Sequence, residues 1–283
     1  MASLTGPVYV PAPTPVLPRY GLFKVANGPL PLPIHARIGG LQYQTATCDL
    51  PTCYEVLCAS DVGRGTKTFA GGPTTIKPLP FIVYSSLTCT PVGLTDEDLA
   101  GYLKDRLVAG EQAIVENAFS LQSCGEFPGL SNNAGAVDPT GGTGAADIMQ
   151  AFSILENWLY ARYGLPGVLH VPAIFGAYLQ NFYLVEKDSR GIWRTAMGTA
   201  VSIGNYAGNT LAGAAPAAGT SYVYITGATT IWATPDDALF VTKIPQVLNR
   251  GTNQLTAVME REYVVSVDCF VAGVKTTISG LAH

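Results

Sequence analysis

Leu99, Leu103, Leu107, Ile114, Ala118 and Leu121 fall on one stripe at helical spacing. That period predicts an amphipathic helix over residues 95 to 121, with one face on a core and the other in water. Thr95 is a good N-cap, and Asp96, Glu97 and Asp98 suit the positive end of the helix dipole. Gly110 is a weak point within it, costing about 1 kcal/mol against Ala. A second stripe, Ile148, Phe152, Leu155, Leu159 and Tyr163, predicts a helix over residues 145 to 163 that Gly164 and Pro166 stop. Pro172 opens a third, "PAIFGAYLQNFYL", which ends before the "DSRG" turn.

Elsewhere the period is that of strands. Residues 41 to 90 alternate short β-type runs with turns, and the break "GGP" between "TKTF" and "TTIKPLPFIVYSS" predicts a long two-stranded excursion with a tip. A lone hairpin is not stable in water, so it needs support. Residues 122 to 144 form a loop, and residues 192 to 245 read as short strands with Gly/Ala-rich connections. "SYVYITGATTIWAT" is strand, turn or bulge at Thr226-Gly227, strand. Residues 256 to 278 close with strong β-signal. There Met259, Tyr263, Val265 and Val267 face one way, and Glu260, Glu262, Ser266 and Asp268 the other. Residues 1 to about 40 are rich in Pro and Gly, which excludes a helix and a central strand. They are too apolar for a disordered tail. This predicts an extended arm, lying on a neighbour's surface or folded back on its own domain.

Charge sharpens the picture. Of the 283 residues 48% are hydrophobic and only 13% charged, about half the usual charged share; mean hydropathy is +0.25. Eight of the 36 charged residues (20 acidic, 16 basic) lie in the first predicted helix: Asp96, Glu97, Asp98, Lys104, Asp105, Arg106, Glu111 and Glu116. None lies between Thr195 and Pro235. So neutral a surface needs a membrane or burial between subunits. The longest uncharged run is broken by Asn205, Asn209 and Pro216 and lacks the Leu/Ile density of a spanning helix. The N-terminus has no basic region before a continuous apolar core, unlike a secretory signal. The expectation is a soluble, oligomeric chain made inside the cell. A net charge of −4 with no basic run argues against direct nucleic-acid binding.

Candidate chemistry changes little. Of Cys48, Cys53, Cys58, Cys89, Cys124 and Cys269, three stand as C-x4-C-x4-C in "CDLPTCYEVLC". With His35, His170 and His283 scattered, four convergent zinc ligands are not in view, and the cysteines are expected reduced and buried. There is no G-x-S-x-G, H-E-x-x-H, Walker loop or dinucleotide fingerprint. "GGTGAAD" (141 to 147) opens a helix but lacks a Lys, so it reads as a plain helix entry rather than an anion cradle. His170 among apolar residues reads as a structural histidine, because a base needs an orienting partner. Arg261 between Glu260 and Glu262 reads as a solvated or intersubunit salt-bridge face. No catalytic, cofactor-binding or metal-ligating residue is assigned, no cofactor is expected, and the chain is not expected to be an enzyme.

The order of parts is more telling than any one motif: a Pro-rich arm, an excursion ending in "PFIVYSSLTC", "AGEQAIVENAFS", a Gly-rich loop, "ILENWLYARYG", "GVLHVPAIFGAYL", "RTAMGTAVSIGNYAG", "VYITGATTIW" and "LTAVMEREYVVSVDCFVAGV". Over most of residues 40 to 280 this resembles the major capsid proteins of tailed bacteriophages with the Hong Kong 97-type fold, most like those infecting actinobacteria. The resemblance implies an α+β fold with an N-terminal arm (1–45), an E-loop hairpin region (46–92), a peripheral domain with a long spine helix (93–135), an axial domain (136–245) and a C-terminal return to the peripheral domain (246–283). It implies hexamers and pentamers in an icosahedral shell around double-stranded DNA, held without sequence-specific binding and without a membrane. The shell would be assembled in the host cytoplasm, with separate scaffolding, portal and decoration proteins as possible partners. Without a charged helical stretch before the excursion, no fused scaffolding domain is expected. Some relatives cross-link Lys to Asn beside a Glu. Here Lys67 or Lys77, Asn253 and Glu260 would be the candidates, against a reading as ordinary surface residues. An encapsulin-type compartment shell and an oligomeric enzyme are the other readings. A cargo groove would mark the first, a pocket of perturbed ionisable groups the second.

Overall fold

The computed structural model describes residues 20–45, 48, 50–51, 73–89, 95–121, 129–145, 147–239, 241–249 and 254–278. In chain order the elements are α1 (Gly21–Val25), β1 (Asn27–Pro31), α2 (Ala36–Gly39), β2 (Tyr43–Thr45), β3 (Thr74–Ile76), β4 (Phe81–Cys89), α3 (Asp96–Leu121), α4 (Ile148–Tyr163), β5 (Val168–Pro172), α5 (Gly176–Asn181), β6 (Glu186–Lys187), β7 (Trp193–Arg194), β8 (Ala200–Gly204), β9 (Thr220–Thr226), β10 (Thr229–Ala233), β11 (Val241–Asn249), β12 (Gln254–Val267) and β13 (Val271–Thr277).

Two sheets organise the chain. In the first, the long β12 pairs antiparallel with β11 through its first half and with β10 through its second, β4 runs along its other edge, and β1 joins β10 in parallel. The second has the order β13-β9-β5-β8-β7-β6, with β5 and β8 parallel. β2 and β3 form a separate two-stranded ladder.

Each sheet is covered by one of the helices that periodicity predicts. α3 starts on a reciprocal cap, in which Asp98 N–H donates to Thr95 Oγ1 and Thr95 N–H donates to Asp98 Oδ2. It lays Leu103, Leu107, Val115 and Phe119 into one core with Leu22, Val83, Met259 and Tyr263 of the first sheet and the N-terminal segment. The stripe departs from expectation at two positions: Ile114 is half exposed, with Glu111 and Val115 inside in its place, and Leu121 is only partly buried. α4 buries all five expected residues, Ile148, Phe152, Leu155, Leu159 and Tyr163, against the second sheet. It begins at Asp147, which accepts from Gln150 N–H, and ends on left-handed Gly164.

Two expectations need correction. The Pro/Gly-rich segment was expected to hold no helix, yet α1 and α2 form, and residues 20 to 40 fold onto their own chain, with Leu22 and Phe23 in the core. Leu32 and Ala36 cover Val264 on the far face of the first sheet. Residues 1–19 lie outside the described residues. Ser266 is buried rather than solvent-facing, because that N-terminal segment and β2 roof its side of β12, where Tyr43 Oη meets Ser266 Oγ at 2.6 Å. At Thr226-Gly227, where a turn or bulge is expected, β9 and β10 do not pair with each other. β10 joins the first sheet and β9 the second, and β12 and β13 split the same way. The two strand pairs therefore run side by side as one ribbon that bends at Gly227 and at Asp268–Cys269 and stitches the sheets together. β12 and β13 thus serve different sheets. The described foot of the 41–90 excursion is β2 against β3; "TKTF" and the tip lie outside the described residues.

Candidate assembly surfaces and the junction that positions them

The bend of the ribbon is closely constrained by backbone contacts. Asp268 N–H donates to Ala228 O at 2.8 Å and Gly227 N–H to Phe270 O at 3.1 Å. A Cβ on residue 227 would overlap Asp268 O, so only glycine fits. From α4, Tyr163 Oη donates to the Asp268 carboxylate at 3.0 Å. At the same bend Cys269, with φ of +60°, is disulfide-bonded to Cys48. This corrects the expectation of reduced cysteines for these two. The C-x4-C-x4-C spacing does not predict the pairing, since Cys269 stands 221 residues away; Cys53 and Cys58 lie outside the described residues. Cys48, Asp268 and Cys269 are the one group of potential metal ligands found among the described residues. Sulfurs joined to each other are not thiolate ligands, so the group does not fit a metal.

Beside the junction, two carboxylates of α3 are buried rather than solvated. Glu116 is fully enclosed and accepts from Leu22 N–H at 2.8 Å and from Asn205 N–H at 2.7 Å. Gly21 and Gly204 leave the space for it, since a Cβ on either would overlap the carboxylate. Loss of hydration pushes its pKa up to about 7, against the opposing pull of the two N–H donors. Glu111 accepts from Tyr263 Oη at 2.6 Å and pairs with Arg261 at 3.0 Å. Arg261 also pairs with Asp236 at 2.6 Å and donates to Thr234 O at 2.9 Å. Expected on a solvated or intersubunit face, Arg261 is instead buried within its own chain, because strand alternation sets it on the Met259 and Tyr263 side under α3. The signal for Glu111 was present in the spacing by fours of Leu99, Leu103 and Leu107, which reaches 111. Nothing local marks Glu116.

His170 is fully buried, and burial holds its pKa down at about 3. Thr226 gives its hydroxyl proton to Gly227 O at 2.9 Å. So His170 Nε2 donates to Thr226 Oγ1 at 2.9 Å and Nδ1 accepts from Tyr206 Oη at 3.2 Å. It is a satisfied, neutral structural histidine. The "GGTGAAD" entry likewise serves its own helix, with the Asp147 carboxylate on the N-terminal N–H of Gln150. Of the cross-link candidates, Lys77 and Glu260 are both exposed; Lys67 and Asn253 lie outside the described residues.

Several large apolar side chains face outward. Ile82 and Tyr84 stand on the face of β4 turned away from α3, and Tyr102 and Ile114 on the outer side of α3. Around α5, Ile174, Phe182 and the 88% exposed Tyr183 project, and Phe182 lines a hollow with Met149, Phe175 and Tyr178. No described helix is long and apolar enough to cross a membrane.

No family model and no curated protein matches the sequence. Solved structures do. The chain is similar to the capsid of the native GTA particle, with 15% identity, a TM-score of 0.62 and coverage of 97% of this chain and 96% of that one. It is similar to the capsid of the empty GTA particle as well, with 18% identity, a TM-score of 0.57 and coverage of 97% and 96%. The chain therefore has an α+β fold of the phage-capsid, Hong Kong 97 type.

Proposed function

We propose that this chain is the major capsid protein of a tailed phage, and that it assembles as hexamers and pentamers into an icosahedral shell around double-stranded DNA. The observation that supports this most is the capsid fold, matched over almost the whole length of both chains. The outward apolar residues on three separate elements fit it, since a shell subunit is covered by several neighbours at once. In this reading residues 1–45 are an arm, 46–92 the E-loop region, 93–135 a peripheral part built on α3, 136–245 an axial part and 246–283 the return. The host is an actinobacterium, the work is structural rather than catalytic, and the chain resides in the virion after assembly in the host cytoplasm. Scaffolding, portal and decoration proteins would be separate partners.

Negative-stain electron microscopy with light scattering on the purified chain tests this. Closed shells tens of nanometres wide or capsomer-sized rings are expected. A monodisperse monomer or dimer at high concentration would overturn the shell reading. Particles that package a protein rather than DNA in the native host would move it to a compartment shell.

A further inference from the structure

Cys269 is held in place without its sulfur, by the hydrogen bonds of Asp268, Gly227 and Tyr163 at the ribbon bend. Cys48 follows β2, whose ladder with β3 has three residue pairs among the described residues and belongs to neither large sheet. Two strands alone are marginal in water. Besides the disulfide, the links of this ladder to the body include the Tyr43–Ser266 hydrogen bond and Leu50, which lies over Gly164. Both cysteines are half-buried rather than enclosed in either core.

We infer that the Cys48–Cys269 bond is a redox-dependent staple. Closed, it fixes the β2–β3 ladder on the junction of the two sheets; open, it frees the ladder while both sheets stay folded. In a reducing cytosol the two thiols are open. They close by exchange with a low-molecular-weight disulfide such as oxidised glutathione. One thiolate attacks that disulfide and expels a thiol. The second cysteine then attacks the mixed disulfide and expels another. Two cysteine thiols become one bond, and one external disulfide becomes two thiols. The staple requires only the subunit fold and stands whether or not the chain builds a shell.

The experiment takes the full chain in oxidised glutathione or in a phosphine reductant, blocks free thiols, and maps linked peptides by mass spectrometry. Hydrogen exchange is followed in parallel, with Cys48→Ser as a permanently open form. Oxidation should yield one linked pair, Cys48 with Cys269. Reduction, or Cys48→Ser, should speed exchange at Tyr43–Thr45 and Thr74–Ile76 at least tenfold and leave Leu103–Phe119 and Val264–Val267 unchanged. Pairing of Cys48 with another cysteine, or no linked peptide after oxidation, would overturn the assignment. So would ladder exchange that ignores the redox state, or a loss of protection spread equally through α3 and β12.

Discussion

The carboxylate of Glu116 accepts a hydrogen bond from the backbone N–H of Leu22 at 2.8 Å, and so fastens the N-terminal segment to the middle of the long helix. Its second oxygen holds Asn205 N–H at the end of β8. One buried acid thus joins the N-terminal segment, the helix and the second sheet.

That acid makes stability depend on pH. Unfolded, Glu116 titrates near 4.5; folded, near 7. Between these values the folded state holds more protons, so its contribution is fully present below about 4.5 and is lost as pH rises through about 7. The difference amounts to on the order of 3 kcal/mol. Urea midpoints should fall from pH 5 to pH 8, and Glu116→Gln should remove most of that slope. An unchanged slope in the variant would assign the pH dependence to other groups.

Arg261 and Glu111 give a prediction about pairs. Arg261→Met leaves the Glu111 charge buried against Tyr263 and should cost about 3 kcal/mol. Adding Glu111→Gln removes the stranded charge and keeps an acceptor for Tyr263 Oη, so the double variant should recover most of the loss. Denaturant unfolding of the wild type, both single variants and the double variant measures the coupling. Simple additivity would mean that the pair is not the organising contact.

The same residues show what sequence makes legible. Local period reads local faces, and the five buried positions of α4 and its stop at Gly164 follow from periodicity and end signals, while its start falls at Asp147 and Ile148 rather than at residue 145. The bounds of α3 follow as well. Its charges mislead, because Glu111 and Glu116 find their partners 89 to 152 residues away, and no local pattern carries that distance. Strand pairing fails for the same reason. "YVYITGATTIW" has the period of a hairpin, but its two strands belong to different sheets, each paired with a later strand. The junction and its disulfide are products of that long-range pairing. The capsid-type fold was legible through the order of motifs and not through any single one.

Helix α3 distinguishes folding from assembly. Leu103→Ala should destabilise the subunit by about 2–5 kcal/mol, since Leu103 is 1% exposed in the first core. Ile114→Asp, at 50% exposure, should leave the unfolding midpoint within about 0.5 kcal/mol of wild type. If the outer side of α3 is a subunit contact, Ile114→Asp should lower particle yield by light scattering. Equal destabilisation by both would place Ile114 in the core after all.

Gly227 is a sharper case. Gly227→Ala drives a methyl into Asp268 O at the bend of the ribbon, where both neighbours are backbone fixed by hydrogen bonds. The strands on either side must shift to admit it. A loss of more than about 2 kcal/mol is expected, with hydrogen-exchange protection falling in β9, β10, β12 and β13 together. A neutral substitution would show that the bend has slack that its geometry does not suggest.

The N-terminal segment separates two roles by the length of a truncation. Deleting residues 1–30 removes Leu22 and Phe23 from the core and takes Leu22 N–H from Glu116, so it should destabilise the subunit itself. Deleting residues 1–19 leaves all of these contacts in place. If the first residues serve as an arm on neighbouring subunits, this shorter deletion should keep the wild-type unfolding midpoint and lose closed particles under the electron microscope. Shells that form normally without residues 1–19 would confine the role of the N-terminus to residues 20–40, packed on their own chain beneath Glu116 and over the far face of the first sheet.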